Sequence, residues 1–191
     1  MLKEGNLIPF DMGGTSTDIS LVVGGRPSLV TGRRVGGHTI ALNSLDIASI
    51  GAGGGSIARV DAGGILHVGP ESAGAVPGPA CYGGGGGAAT VTDANLVLGY
   101  LDPASFLGGR RRLDRQAAET AVDRIAAALG IDRLAAAWGI HRVVNTTMAE
   151  GVRLVSVRRG VDPRHFALLA FGGASGLHAT DIARRSTCRG S

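Results

Sequence analysis

The sequence has few cysteines, few aromatic residues and no long apolar run. Cys81 and Cys188 are the only cysteines, too few for a disulfide framework or a zinc ligand set, and this usage is typical of a reducing compartment. No apolar run reaches the roughly 18 residues of a membrane helix, and no signal-like segment starts the chain. We therefore expect a cytoplasmic protein with no membrane association. Aromatic residues make up only 4%, so stacking platforms for single-stranded nucleic acid are scarce.

Charge gives little indication of a partner. The net charge is +4, and the arginines are scattered or lie in short runs such as Arg110-Arg111-Arg112. Such runs are more typical of a solvated surface than of a nucleic-acid interface, and we expect no nucleic-acid partner. The chain has 191 residues, of which 44% are hydrophobic and 18% are charged. It is long enough for one packed domain or for one lobe of a larger enzyme.

Glycine is in excess, with 33 residues in clusters. The first cluster lies between the apolar runs LIPF and ISLVV, a pattern that predicts a strand, a tight turn and a second strand. The bend contains two glycines and three hydroxyl residues: Gly13, Gly14, Thr15, Ser16 and Thr17. Glycine lets the backbone approach a ligand closely, and hydroxyls beside backbone N–H groups suit an oxyanion such as phosphate.

Asp11 and Asp18 flank this bend. A carboxylate beside a phosphate is repulsive unless a cation such as Mg²⁺ lies between them, so the unit has the composition of a phosphate and metal turn. An ordinary hairpin, in which the Asp and Thr side chains make local turn hydrogen bonds, explains the same residues equally well.

Two further glycine clusters follow apolar segments. The second consists of Gly53, Gly54, Gly55 and Ser56. It predicts a backbone cradle for phosphate, a helix start or a flexible crossing. The third cluster begins with Gly172 and Gly173, after a continuous apolar run at residues 166–171 that predicts a strand buried on both faces. A helical start follows at residues 177–179, and strand, glycine turn and helix together are typical of a nucleotide turn.

The segments between these clusters have simpler patterns. Residues 45–50 are predicted to be buried, and residues 56–61 and 65–68 to form a hairpin. The Gly/Pro-rich residues 69–89 are predicted to be a long loop, in which we favour a buried, inert thiol for Cys81 over a nucleophile. Next to it, Thr92 or Asp93 is the predicted N-cap of a short helix, and we favour this cap over a catalytic role for Asp93.

The second half of the chain is predicted to be helical. One helix begins after Asp114 and ends at Gly130, and a second helical region covers residues 132–158. Glycines within that region leave open whether it is one helix or two. His178 lies near the last glycine turn, where a capping or packing role is favoured. Residues 184–191 lack apolar periodicity and are expected to be an irregular tail, as if the chain were truncated.

Five motifs resemble the hydantoinase A/5-oxoprolinase family, in the order in which that family has them. They are residues 11–27, 45–61, 69–82, 90–99 and 162–173. The resemblance covers nearly the whole chain and implies a hydantoinase A-type domain at residues 1–183. It implies an α/β fold: one lobe of an ATPase similar to actin, hexokinase and the heat-shock chaperones, in which two lobes close on ATP.

The resemblance also implies an activity. Family members use ATP to activate a cyclic amide such as 5-oxoproline or a hydantoin, which is then hydrolysed. Relatives activate ketones for carboxylation, so a carboxylase subunit is an alternative, and a non-catalytic nucleotide-binding fragment is another. ATP and Mg²⁺ are the implied cofactors. The implied partners are a hydantoinase B-type subunit and an N-terminal lobe, which carries the family's first phosphate turn and is missing here. The chain alone is therefore expected to be inactive.

Site residues carry over from the motifs by position. Asp11, Gly13, Gly14 and Thr15 resemble the second of the family's two phosphate turns, with Ser16 and Thr17 continuing it. By the same resemblance Asp11 is a catalytic residue and metal ligand, and Asp18 is a catalytic residue that orients metal or water. The adenosine-side turn is implied at Gly172 and Gly173. A cradle facing the cleft is implied at Gly53, Gly54, Gly55 and Ser56.

Overall fold

The computed structural model describes residues 5–186 and Cys188. In these residues the strands β1 to β10 are, in chain order, Leu7–Met12, Thr17–Ile19, Val22–Val23, Arg26–Pro27, Leu29–Val35, His38–Leu45, Ala48–Ile50, Ser56–Val60, Leu66–Ser72 and Ala167–Phe171. The helices α1 to α4 are Val91–Val97, Arg115–Leu129, Arg133–Arg158 and Ala179–Ser186. Short 3₁₀ helices lie at Ala80–Tyr82, Pro163–His165 and Ser175–Leu177. The predicted α/β class is confirmed. None of the described helices has the length and apolar character needed to cross a bilayer.

Strand β1 is the centre of a six-stranded sheet. It pairs antiparallel with β2 and β3 and parallel with β10. Strand β7 extends the sheet beside β2, and β4 extends it beside β3. Alternate residues of β1, namely Ile8, Phe10 and Met12, are completely buried, as the period of two in a strand requires when one face is packed. The predicted strand, turn and strand at the first glycine cluster are confirmed, and so is the β8–β9 hairpin.

Helix α3 packs against this sheet and is one continuous helix of 26 residues. Gly151, which the sequence marks as a weak point, lies at the contact. A Cβ added at Gly151 would be 3.0 Å from Ile19 Cδ1 and 3.1 Å from Ile50 Cδ1. The glycine therefore brings the helix backbone close to β2 and β7, and packing on the sheet compensates for its low helix propensity.

The prediction that residues 45–50 are buried is wrong, because each of them is at least partly exposed. Leu45 and Ile47 are 47% and 36% exposed. Strands β5 and β6 pair only with each other among the described strands, so Leu45 belongs to a separate two-stranded ribbon rather than to the core. An ion pair between Arg159 and Asp46 joins the base of this ribbon to the end of α3.

Strand β10 is buried only in part, so the prediction of burial on both faces is also wrong. Ala167 and Leu168 are buried, whereas Leu169 and Phe171 are 36% and 46% exposed. Leu169 and Phe171 project from the same face of the strand. The described part of the chain covers that face at the start of β10 and leaves it open towards the end.

The ends of the helices follow their capping residues. As predicted, Asp114 caps α2 through the amide of Ala117, and Gly130 ends this helix in the left-handed conformation. The N-cap of α1 is Thr90 rather than Thr92 or Asp93, and Asp93 completes a capping box with it. At the C-terminus, α4 extends through Ser186. The expected irregular tail therefore begins with helix, and its residues 187 and 189–191 lie outside the described residues.

Asp93 is expected to contribute far more to stability than a surface cap. Its buried carboxylate accepts hydrogen bonds from Thr90 N and Oγ1, at 2.9 and 2.7 Å, and from the amides of Ala80 and Cys81, at 3.2 and 2.8 Å. Asp93→Ala leaves these donors buried without a partner and should lower the free energy of unfolding by about 3 kcal/mol. Asp114→Ala removes an exposed cap and should cost about 1 kcal/mol. Urea unfolding followed by circular dichroism measures both, and equal losses would contradict this role of Asp93.

Candidate functional site

The first glycine cluster forms a tight turn between β1 and β2. The amide of Gly13 donates to Ser16 O at 3.0 Å and closes the turn. Within residues 5–186, the amides of Gly14, Thr15 and Ser16 have no hydrogen-bond acceptor in the protein. Gly14 and Thr15 are exposed. Successive unpaired N–H groups in a turn form a concave anion-binding surface, so this turn can accept a phosphate.

The second glycine cluster holds this turn in place. The amides of Gly54 and Gly55 donate to Gly13 O and Gly14 O at 3.0 and 2.5 Å, and the amide of Gly53 donates to Ser56 Oγ at 2.8 Å. All three amides are therefore occupied within the protein. The expectation that this cluster is itself a phosphate cradle is wrong for these N–H groups: they support the cradle from behind.

Two of the predicted site residues have buried side chains that point away from any ligand. Thr17 is completely buried, and its hydroxyl donates to Ala52 O at 2.6 Å. Ser56 is also completely buried and caps Gly53. Their hydroxyls shape the loops. Of the other hydroxyls at the bend, that of Thr15 is exposed and accepts a hydrogen bond from Ser72 Oγ at 3.4 Å.

Asp11 and Asp18 lie directly opposite each other on β1 and β2, so their side chains share one face of the sheet. Ser49 on β7 donates to Asp18 Oδ1 at 2.5 Å. Two adjacent half-buried carboxylates repel each other, and a divalent cation relieves the repulsion. No cluster of three or more His, Cys, Asp or Glu residues suited to a metal ion occurs in the described residues. A Mg²⁺ ion here would need oxygen ligands from a bound phosphate, as is common for this ion.

The third glycine cluster lies beside the first. The amide of Ala174 donates to Met12 O at 3.1 Å. Gly172 has a φ of +93°, and a Cβ at this position would overlap Asp11 Oδ1 and lie 2.6 Å from Met12 O. Only glycine fits against the carboxylate there. The structure thus brings all three glycine clusters together, although they lie far apart in the sequence.

These clusters form one side of a cleft of about 200 Å³. The glycine side consists of Gly13, Gly14, Gly54 and Gly173. The cleft is also lined by a largely apolar group of residues, here called the apolar wall: Tyr82, Leu101, Phe106, Leu107 and Leu177. The sequence analysis did not identify this wall, because its residues lie in short 3₁₀ helices and loops that have no apolar periodicity. A cleft lined by both N–H groups and apolar side chains suits a ligand with an anionic end and a flat apolar end.

The apolar wall is fixed by aromatic and cationic contacts. The rings of Tyr82 and Phe106 lie 5.4 Å apart. The guanidinium of Arg111 lies over the Tyr82 ring, 4.7 Å from its centroid, and donates to Tyr82 O. Burial raises the pKa of the Tyr82 phenol. The sequence offered one signal here, since Tyr82 ends the third family motif.

Below the cleft lies a buried polar network that the sequence analysis also missed, except for His178. It contains Asn95, His141, Asn145 and His178, each at most 3% exposed, and ends at Asp181. The rings of His141 and His178 stack 4.6 Å apart. Burial, together with the neighbouring His141, lowers the pKa of His178 to about 3, so this ring is neutral at physiological pH. His178 is thus a packing residue, one of the roles favoured from the sequence.

Cys81 is buried in this region as well. Burial, with Asp93 beside it, strongly raises the pKa of its thiol. A thiol that remains protonated is a poor nucleophile. The prediction of a buried, inert cysteine is therefore confirmed.

The sequence model of the hydantoinase/oxoprolinase family matches residues 1–190. The chain belongs to this family. The alpha subunit of caprolactamase from Pseudomonas jessenii is 51% identical over 179 residues, which are 93% of this chain and 26% of the relative. A 5-oxoprolinase from Pestalotiopsis fici is 40% identical over 190 residues, which are 94% of this chain and 15% of the relative.

Two solved structures contain a part with the same fold as this chain. The crystal structure of the ATP-dependent caprolactamase from Pseudomonas jessenii superimposes with a TM-score of 0.87 at 49% identity, over 97% of this chain and 27% of the other. Nucleotide-free acetone carboxylase, an ATP-dependent enzyme, gives a TM-score of 0.87 at 30% identity, over 97% and 26%. The chain therefore spans about a quarter of the length of these relatives.

Gly53 is expected to be intolerant of a side chain, unlike Gly14 of the same site. A Cβ at Gly53 would lie 2.8 Å from Thr15 C and 2.9 Å from Gly13 O, whereas nothing lies within 4 Å of a Cβ at Gly14. Gly53→Ala should push the turn away and lower the free energy of unfolding by about 1–3 kcal/mol. Gly14→Ala should change it by less than about 1 kcal/mol. Urea unfolding tests the pair, and the reverse order would refute the supporting role of Gly53.

His178 predicts a pH dependence of stability. The unfolded chain binds a proton at this residue below the ordinary histidine pKa of about 6.5, while the folded chain binds it only near pH 3, the lowered pKa of about 3. Stability is thus fully present above about pH 6.5 and falls as the pH decreases, by at most about 1.4 kcal/mol per unit. When the free energy of unfolding is measured with denaturant between neutral and mildly acidic pH, it should fall less steeply with decreasing pH in His178→Gln than in the unaltered chain. Equal slopes would show that His178 is not held neutral.

Proposed function

We propose that this chain is the phosphate-holding part of an ATP-dependent enzyme that hydrolyses a cyclic amide, such as a lactam, 5-oxoproline or a hydantoin. One observation carries the proposal: the unpaired amides of Gly14, Thr15 and Ser16 adjoin the carboxylate pair of Asp11 and Asp18. An N–H cradle beside two carboxylates suits a phosphate and its Mg²⁺, and not a phosphate alone. The named relatives, an ATP-dependent caprolactamase and a 5-oxoprolinase, support this substrate class.

ATP would make the amide reactive. An amide carbonyl is a poor electrophile, and transfer of the γ-phosphoryl group to the amide oxygen releases ADP and leaves a carbon that water can attack. Water then adds and the ring C–N bond breaks, which leaves an acyl phosphate and a free amine. A second water hydrolyses the acyl phosphate and releases phosphate, so that the sum is amide, ATP and two waters to amino acid, ADP and phosphate. Catalysis of phosphoryl transfer rests mainly on positioning and on neutralising the charge of the transferred group. In this chain the free amides of the turn would supply that neutralisation, and Asp11 with Asp18 would hold the Mg²⁺.

The activity would require other protein parts. The chain spans about a quarter of its caprolactamase relative, which is itself named as an alpha subunit. We propose that a second lobe, carrying another phosphate turn, and a hydantoinase B-type subunit complete the enzyme. We expect the chain alone to bind nucleotide without turnover, and ATP-dependent opening of a lactam or of 5-oxoproline by the chain alone would overturn this division of roles.

A carboxylase subunit is the second candidate. It is favoured by the likeness to acetone carboxylase over 97% of this chain. In that case ATP would activate a ketone, and consumption of ATP by the reconstituted assembly would depend on bicarbonate and a ketone rather than on a lactam. Nucleotide binding without turnover, even with partners present, would instead identify a non-catalytic nucleotide-binding module.

Calorimetric titration with Mg²⁺-ATP and Mg²⁺-ADP tests the proposed site. We expect dissociation constants between micromolar and millimolar for the full chain. Asp11→Ala removes a proposed metal ligand and should weaken binding by about tenfold or more, because a charge-assisted contact contributes about 1.5–3 kcal/mol. The control is Asp61→Ala, which removes a carboxylate from the β8–β9 turn, outside the cleft. A folded chain that binds neither nucleotide, or binds them equally well in the Asp11 variant, would contradict the proposal.

A further inference from the structure

In the polar network below the cleft, the donor and the acceptor of each hydrogen bond can be assigned. Asp181 is paired with Arg185, whose Nε lies 2.8 Å from Asp181 Oδ2. Burial opposes ionisation of this carboxyl, but hydrogen bonds from Arg185 and Asn145 hold its pKa below the usual value. An ionised carboxylate can only accept hydrogen bonds. Asn145 must therefore present its NH₂ group to Asp181, over the 2.8 Å contact from Nδ2 to Oδ2.

The assignment at Asp181 determines the donor and the acceptor at each following contact of the network. Since Asn145 donates to Asp181, its Oδ1 faces His178 Nδ1 at 2.6 Å, and that nitrogen must carry a hydrogen. A neutral imidazole with a hydrogen on Nδ1 has an acceptor at Nε2. That acceptor lies 3.0 Å from Asn95 Nδ2. The amide of Asn95 thus donates to His178.

The orientation of Asn95 follows from the same rule. With its Nδ2 towards His178, its Oδ1 faces His141 Nδ1 at 2.9 Å, so His141 also carries a hydrogen on Nδ1. The two imidazoles are stacked 4.6 Å apart, and His141 contacts Oδ1 of the Asn95 amide while His178 contacts Nδ2. An asparagine amide has two N–H hydrogens. Only one is used here, and the other has no acceptor among the described residues.

Asn95 also reaches the cleft. It lies on α1, one helical turn after Thr92, and both residues line the cleft. Thr92 is tied to the glycine side, because its amide and hydroxyl donate to Gly54 O at 2.7 and 2.8 Å. The side chain of Asn95 is therefore held from below by two histidines, next to the support of the phosphate turn. A buried donor without a partner costs free energy, and a ligand acceptor in the cleft would satisfy it.

We propose that Asn95 is a ligand-binding residue, which donates its second amide hydrogen to a neutral ring acceptor of the bound molecule, and that His141 and His178 position it. The inference rests on the proposed function for the existence of a bound ligand. The acceptor has one chemistry, an uncharged ring oxygen or nitrogen, and two sources: the nucleoside of the nucleotide or the carbonyl of the cyclic amide. The ion pair of Asp181 and Arg185 acts through the network, because it determines which atoms of Asn145, His178 and Asn95 donate hydrogen bonds.

The first test uses the unaltered full chain and needs no ligand. Nitrogen-15 NMR of the histidine side chains separates the two neutral tautomers and the imidazolium. At neutral pH we expect His178 with a hydrogen on Nδ1 and a bare Nε2, and His141 with a hydrogen on Nδ1. A hydrogen on His178 Nε2 would reverse the network and overturn the inference, whether or not the chain binds nucleotide.

The second test follows the Asn95 side-chain NH₂ resonances of the unaltered chain during two titrations. One uses Mg²⁺-ADP and the other uses 2-pyrrolidone, a simple lactam. A shift in one titration supports the role of Asn95 and identifies the source of the acceptor. If a probe binds and these resonances do not shift, the role of Asn95 is refuted while the proposed function stands. Failure of the chain to bind either probe refutes the proposed function, and the role of Asn95 in binding a ligand with it.

Variants give the third test. Asn95→Asp keeps the size but replaces the donor to His178 by an acceptor. We expect probe binding to weaken by about tenfold, and His178 Nε2 to become protonated in the NMR spectrum. Asn43→Asp is the matched control, because Asn43 is exposed on β6 and pairs only with Thr31 in the described residues; it should change neither readout. Unchanged probe affinity and an unchanged His178 tautomer in a folded Asn95→Asp chain would refute the role of Asn95. The change of tautomer is the readout that a mere loss of stability would not produce.

Discussion

The candidate site depends on a close contact between two backbone segments. The amides of Gly54 and Gly55 reach the carbonyl oxygens of Gly13 and Gly14, and this approach is possible only because Gly53 has no side chain in the way. By using the carbonyl groups of the first turn, the second cluster leaves the N–H groups of that turn as its free polar surface. A phosphate-sized anion meets donors and few competing acceptors there. The supporting glycines therefore determine the polarity of a surface that they do not themselves form.

The same support extends into the helical layer. Thr92 on α1 binds the carbonyl of Gly54, and one turn later Asn95 joins His178 next to the third glycine cluster. Asn145 connects this point to α3, and Asp181 connects it to α4. The members of a buried polar network hold one another in place, since a displaced member leaves its neighbours unpaired. The ion pair of Asp181 and Arg185, which does not line the cleft, thus determines which groups of the buried network donate hydrogen bonds and which accept them.

The local part of this structure could be predicted from the sequence. The bend after Met12, the β8–β9 hairpin and the helix between Asp114 and Gly130 each follow from nearby residues, since period and caps are local properties. The family motifs located the three glycine clusters. What the amides of Gly54 and Gly55 bind could not be predicted, because their partners, Gly13 and Gly14, lie about forty residues away in the chain. Exposure of Leu45 and Phe171 depends on neighbouring layers for the same reason. Asn95 gave no signal, because its importance arises only where three helices meet.

The charges around the cleft bear on the proposed need for a second lobe. Among the described residues that line the cleft, none has a positively charged side chain, and Asp11 and Asp18 add negative charge beside the candidate phosphate turn. A nucleoside triphosphate would bring several more negative charges. Backbone N–H groups carry only partial charges, and one divalent cation between two carboxylates is largely neutralised by them. Tight binding and phosphoryl transfer therefore require positive charge or further donors from outside this cleft. A second lobe closing over the same phosphates would supply them, and it would also exclude the water that weakens each of these interactions.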